Sequence, residues 1–313
     1  MVIGESVAKD AYRLLVWGPW RQALEHSPWG WEYRANRKLG TIAGRVAWKK
    51  RREVEENLRR AFPGRDDLGQ VALDAFATHF VNQYASFAFG RIDGRNYRHY
   101  LRLEGVDHLD RAARDGVGVV LMHPHTGPAQ LPLAVLGALG RSVHQVGGGE
   151  AAVQKSRVGG WASAERSRLE SRMRVTLHDG AGYLRGLLRV LAEGQVVLTA
   201  CDGTGGGQEL GRRLVRPVLG QAMLLPVGPF YMAFRSGARL HTLHTVRDPL
   251  DPRRHLSVIG DEVQVRRDAP LRVALEAGAD FTADWLSLVL GRYPGDWLFW
   301  DAFRPGVLLA EDR

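Results

Sequence analysis

The rhythm of apolar and polar residues changes near residue 100. Up to about residue 95 the chain interleaves Tyr12, Leu15, Val16 and Trp20 with Lys9, Arg13 and Arg21, and holds few strand-like runs. This predicts a helical N-terminal segment. Tryptophan mixed with arginine at modest hydrophobicity fits two placements, one lying in a membrane interface and one packed on the domain by its aromatic face. Beyond it, apolar runs at 118–122, 131–139, 143–146, 174–177, 184–191 and 196–200 alternate with helical stretches. The alternation predicts an α/β fold with a mixed, largely parallel central sheet flanked by helices. Residues 117–122 lack a polar face, as strands covered on both sides do. Residues 239–246 and 255–265 alternate apolar with polar and predict a hairpin or sheet-edge pair. A closing helix over about 280–290 precedes the aromatic run Trp297-Leu298-Phe299-Trp300. The expected organisation is one structural domain, with residues 1–95 packed on an α/β core of residues 96–313. The glycine clusters at 147–149 and 205–207 are too short for linkers.

Composition narrows the class. With 313 residues, 45% apolar and 25% charged, the chain can bury a sizeable core. The single cysteine, Cys201, excludes an internal disulfide, and no cysteine spacing suggests a structural metal, so a reducing compartment is expected. No secretion signal or membrane-spanning stretch is expected either. The balance of 43 Lys plus Arg against 34 Asp plus Glu gives a net charge of +9. That favours an anionic partner: nucleic acid, an acidic lipid surface or an acidic carrier protein. The excess arginines are spread along the chain, so a generally basic surface accounts for them as well as a dedicated patch does.

Candidate chemistry begins at His123-Pro124-His125-Thr126-Gly127-Pro128-Ala129-Gln130, where a buried-type strand ends in two histidines, a glycine-proline turn and a helix start. Ligands of open α/β sheets sit outside the carboxyl ends of strands. A histidine there titrates near neutrality and can take a proton from a hydroxyl or amine.

Several segments together resemble one family, the lipid A late acyltransferases and the related mycobacterial phosphatidylinositol mannoside acyltransferases. His125-Thr126-Gly127-Pro128-Ala129-Gln130 matches the histidine and glycine of the family's His-x-Gly-x-x-Glu motif, with Gln130 in the place of the acid. Asn57-Leu58 with Ala61-Phe62-Pro63 is similar to its Asn-Leu-x-x-x-Phe-Pro segment. Gly220-Gln221-Ala222, Pro226-Val227-Gly228-Pro229 and Ala233-Phe234-Arg235-Ser236-Gly237-Ala238 resemble its glycine-proline helix and arginine-x-glycine-alanine turn. Pro294-Gly295-Asp296-Trp297 resembles its Pro-x-x-Trp-x-Trp terminus, although Phe299 stands where the second tryptophan is expected.

The resemblance implies that His125 is a general base and that the position of Gln130 should carry an orienting acid. An amide can orient an imidazole but offers no charge. The substitute acid is expected from Asp202 in Cys201-Asp202-Gly203-Thr204, which resembles acid-bearing blocks placed beside the catalytic histidine in this superfamily. His125 and Asp202 would then form the working pair, with Gln130 as a third catalytic candidate. Amides of the glycine loop would bind phosphate or an acyl oxyanion. An Asp-Gly turn without a ligand is the competing reading.

The candidate substrate-binding positions are His123, Thr126, Gly127, Gly203, Thr204 and Arg172. Arg172 belongs with Arg166, Arg168 and Arg174 to a run that suits an anionic head group or a carrier's phosphopantetheine arm, and suits a solvated helix face more commonly. His123 and His125 lack a third ligand for zinc. Residues 149–156 imitate a phosphate-binding loop without its second glycine. His241 and His244 read as structural histidines within a strand, and Cys201 as a buried thiol.

The expected activity is acyl transfer from a thioester, on acyl carrier protein or coenzyme A, to a hydroxyl or amine, with no other cofactor and no metal. The expected location is cytoplasmic, with reversible attachment to an anionic membrane surface. Two alternatives stand beside it: acylation of a soluble intermediate, and a family member that has lost catalysis and binds lipid or a partner. Nucleic-acid binding ranks last, because no motif accompanies the charge.

Overall fold

The computed structural model describes residues 6–146, 156–178, 183–203 and 211–311. Among them, seven strands make the central sheet: β1 (Leu101–Glu104), β2 (Val119–His123), β3 (Val143–Val146), β4 (Thr176–His178), β5 (Val196–Ala200), β8 (Arg239–Arg247) and β9 (His255–Glu262). A two-stranded hairpin, β6 (Arg213–Val218) and β7 (Gln221–Pro226), stands apart. The order across the sheet is β1-β9-β8-β2-β5-β3-β4. All neighbours are parallel except β8 and β9.

The sheet is mixed and largely parallel, as the apolar runs predict. β2 explains why. Val119 and Leu121 enter a core with Tyr33, Val81, Phe89 and Leu131, whereas Val120 and Met122 enter the opposite core with Leu187, Phe230 and Leu275. Alternate side chains point to opposite faces of a strand, so a strand covered on both sides has no polar face. The antiparallel β8–β9 pair lies inside the sheet rather than at its margin, because β1 adds to β9 in parallel. The closing helix is longer than its apolar core suggests. It runs over Leu271–Arg292, because Ala274, Leu275, Gly278 and Ala279 continue the buried stripe of Thr282, Ala283, Leu286, Val289 and Leu290 at helical spacing.

Among the described residues the N-terminal segment holds helices and no strand, with longer helices at Trp31–Val46, Trp48–Ala61 and Leu68–Gln83. A third core joins this layer to the far end of the chain: Leu58, Val71 and Ala72 pack with Leu286, Trp297, Trp300 and Phe303. The β6–β7 hairpin adds Val218, Met223 and Leu225 to it. Its turn, Leu219-Gly220, takes two left-handed residues (φ 50° and 75°), the conformation that two-residue hairpins require and that Asn-Gly normally signals.

Candidate active site

Strand register builds the site. β2 and β5 pair in parallel with His123 opposite Ala200, and the Cys201 amide donates to the His123 carbonyl at 2.9 Å. His125 and Asp202 each stand two residues past that pair, so they face one another at the carboxyl end of the sheet. His125 Nδ1 lies 2.7 Å from Asp202 Oδ1, and the His125 backbone amide donates to Oδ2 at 2.7 Å.

A third donor reaches the same carboxylate. The Trp297 indole N–H donates to Asp202 Oδ2 at 2.7 Å. Asp202 is completely buried, which by itself pushes its pKa up. The charge of His125 and the hydrogen bonds from His125 and Trp297 outweigh burial and hold the carboxyl below its usual value. An ionised carboxylate only accepts hydrogen bonds. His125 Nδ1 therefore carries a proton, and in the neutral imidazole the lone pair sits on Nε2. That nitrogen has no hydrogen-bond partner among the described residues, and the His125 side chain keeps 20% exposure. The Phe299 ring covers the imidazole at a centroid distance of 4.5 Å.

The segment carrying Trp297 and Phe299 is fastened by backbone. Thr126 and Trp297 form an antiparallel bridge, with Leu298 N donating to His125 O at 3.0 Å and Gly127 N to Asp296 O at 2.7 Å. Thr78 Oγ1 donates to Gly295 O at 2.9 Å, and Arg247 approaches the buried Asp296 carboxylate at 3.4 Å. Gly127 is left-handed (φ +56°), and a Cβ there would stand 2.7 Å from the Thr245 carbonyl oxygen. Only glycine suits that turn.

The remaining candidates fall in different places. His123 is buried behind His125, with ring centroids 5.5 Å apart. Its Nδ1 donates to Pro124 O at 3.0 Å, and burial, aided by the neighbouring His125, lowers its pKa to about 4, so it is neutral in the cell. Thr126 is buried and its hydroxyl accepts from Thr245 N at 3.3 Å. Gly203 lies under Phe299, where a Cβ would meet the ring at 2.8 Å. Gln130 precedes the helix Leu131–Ala138, and no hydrogen bond joins its side chain to His125 among the described residues. Arg172 is exposed, with its guanidinium against Gly90 and near Glu165. Thr204, the glycines at 205–207 and the stretch 149–155 lie outside the described residues. Cys201 is buried, and burial, then the Asp202 charge, pushes its thiol pKa well up, which leaves it protonated. His241 Nδ1 donates to Gly260 O at 2.9 Å. Among the described residues, no three His, Cys, Asp or Glu side chains gather as a metal-binding set.

Trp297 and Phe299 were not legible as site residues from sequence. The available signal was a tryptophan in a buried-type run, since a buried indole N–H needs an acceptor.

His125 and its buried partner thus stand at the carboxyl ends of strands in the largely parallel sheet of an α/β enzyme, an acyltransferase. The model of the bacterial lipid A biosynthesis acyltransferases matches residues 12–260, and the chain belongs to that family. His125 and Asp202 lie within the match, whereas Trp297 and Phe299 lie beyond it. The family implies an acyl donor and a lipid-type acceptor. A comparison with curated proteins finds no match.

Proposed function

We propose that the protein moves an acyl chain from a thioester, on acyl carrier protein or coenzyme A, to a hydroxyl or amine acceptor, with His125 as general base. The observation that carries this reading is the 2.7 Å contact of His125 Nδ1 with buried Asp202, which makes Nδ1 the donor and leaves Nε2 without a hydrogen-bond partner among the described residues. Nε2 takes the acceptor proton as the acceptor oxygen or nitrogen attacks the thioester carbonyl. The tetrahedral intermediate then expels the thiolate, which recovers that proton from the imidazolium. Asp202 stabilises the imidazolium between the two steps, as the aspartate of a hydrolase triad does. Attack is direct, because the one thiol beside the pair, Cys201, is buried and protonated.

Asp202 also answers the exchange at Gln130. The charge that the amide lacks is supplied from the neighbouring strand end, which favours a working enzyme over a binding protein. The net charge of +9 supports acidic partners, namely a carrier protein and an anionic membrane surface to which the enzyme attaches peripherally. No helix among the described residues is long and apolar enough to cross a membrane.

The test is transfer of a radiolabelled acyl chain from acyl carrier protein or coenzyme A to a panel of lipid and soluble acceptors, for wild type and His125→Ala. Transfer that vanishes in the variant supports the reading. Transfer that persists in His125→Ala removes the base, and none from either donor with wild type returns the protein to the binding alternative.

A further inference from the structure

The helix Val7–Leu15 is turned inside out. Its charged residues, Lys9, Asp10 and Arg13, are the half-buried ones, and all its apolar residues, Val7, Ala8, Ala11, Tyr12, Leu14 and Leu15, are exposed. Val7 is 87%, Leu14 52% and Leu15 60% exposed. The polar side is held inward by specific bonds. Ser156 Oγ donates to Asp10 Oδ1 at 2.7 Å, Arg13 donates to the same oxygen at 3.1 Å, and the Tyr12 and Tyr84 hydroxyls meet at 2.6 Å. The orientation is therefore fixed, and the apolar face has no cover within the described residues. Trp161 is exposed on Arg157–Glu170, the helix against which Val7–Leu15 packs.

A second exposed face in the same layer says what the cover is. Along Trp31–Val46 the exposed residues are three apolar, Trp31, Ile42 and Val46, and three cationic, Arg34, Lys38 and Arg45, and the one acid of this helix, Glu32, is buried. Residues 29–52 hold eight Lys or Arg and one acid. Arg37 and Arg51 are paired with Asp74 and Glu55, but Arg34, Lys38, Arg45 and Lys49 have no ion pair among the described residues. Trp29, Trp31 and Trp48 are each about half exposed. Tryptophan and leucine at the acyl boundary, with arginine and lysine at the headgroups, is the chemistry of an interfacial helix on an anionic bilayer. A second copy of the chain would bring these unpaired cations against one another.

We infer that the outward face of Val7–Leu15 inserts into the interface of an anionic lipid bilayer, with the cations of Trp31–Val46 on its headgroups. The inference rests on the peripheral-attachment reading above and names the surface that performs it. The test is co-sedimentation of the full chain with phosphatidylcholine vesicles, with and without phosphatidylglycerol, for wild type and Leu14→Glu/Leu15→Glu. The alanine pair Leu14→Ala/Leu15→Ala, which keeps helix propensity, guards against misfolding. Binding is expected only with phosphatidylglycerol, and the glutamate pair should weaken it about tenfold or more, the scale of withdrawing a leucine from apolar surroundings. The alanine pair should weaken it less. Acyl transfer to a water-soluble acceptor should be unchanged in both, which separates loss of docking from loss of chemistry. Vesicle binding remains readable even when no transfer is found.

Wild type that stays in the supernatant overturns the inference. So do variants that bind as wild type does, and a wild-type dimer that the glutamate pair splits, which would make a second copy the cover.

Discussion

Two carboxylates in this protein are equally hidden from water and chemically opposite. Asp202 is 0% and Glu32 1% exposed. Asp202 accepts three hydrogen bonds of 2.7 Å, from His125 Nδ1, the His125 amide and the Trp297 indole, and is ionised. Neither carboxylate oxygen of Glu32 has a hydrogen-bond partner among the described residues. Burial raises its pKa, and nearby backbone amides with Arg91 at 4.0 Å offset only part of that. Burial makes a carboxyl a poor anion, and only donors aimed at it restore the charge. The fold aims donors at Asp202 beside His125 and leaves Glu32 near Tyr33, Asn36 and Tyr100; the two tyrosine hydroxyls and Asn36 Nδ2 also lack partners among the described residues.

The most drastic way to erase the contrast is Asp202→Asn, which removes the charge and keeps the shape. Acyl transfer should fall by about 10⁴-fold, the scale seen when a triad aspartate becomes an amide. Steady-state transfer at saturating donor measures it, and a loss below tenfold would show that His125 works without the charge.

Withdrawing one donor is milder. Trp297→Phe keeps the aromatic packing and leaves Asp202 one hydrogen bond short, at a cost of roughly 1.5–3 kcal/mol for a bond to a charged group. Urea unfolding should register that loss, and kcat should drop with little change in donor KM. An unchanged kcat would reduce Trp297 to packing.

Solution pH separates the two groups by sign. The Asp202 pKa is depressed below 3.8 on folding, so its contribution is present above that value and lost as pH falls through the folded pKa. The Glu32 pKa is raised above 4.5, so its contribution is present below that value and lost as pH rises through the folded pKa. The stability advantage of wild type over Asp202→Asn should therefore shrink in acid. Glu32→Gln, which mimics the protonated form, should gain on wild type as pH rises towards neutrality, by about 1 kcal/mol given the cost of an unsatisfied buried polar group. Thermal unfolding from acid to neutral pH reads both trends. A Glu32→Gln curve parallel to wild type would mean that Glu32 does not titrate in this range.

The sequence made the first carboxylate readable and hid the second. Asp202 follows a strand and precedes glycines, so pattern and family resemblance both pointed to it beside His125. Strand positions translate into site geometry because parallel register is discrete, and the two-residue overhang past His123 and Ala200 follows directly. Glu32 reads as the ordinary acid of a helix first turn, and only the packing of Trp31–Val46 against the core turns it inward. The inverted helix Val7–Leu15 is a similar case: its periodicity announces an amphipathic helix but not which side faces water. Trp297 and Phe299 stayed hidden because their partners arrive through a backbone bridge between distant segments. The β6–β7 hairpin escaped because Leu219 stands where Asn is the usual signal.

The site is also assembled from far along the chain. His125 and Asp202 are 77 residues apart, and Asp202 and Trp297 are 95 apart. Closing such long loops is entropically slow, and no local fragment can form the constellation in advance. Return of acyl transfer after dilution from denaturant should consequently lag behind the return of helical circular dichroism, so activity would time the last step of folding rather than the first.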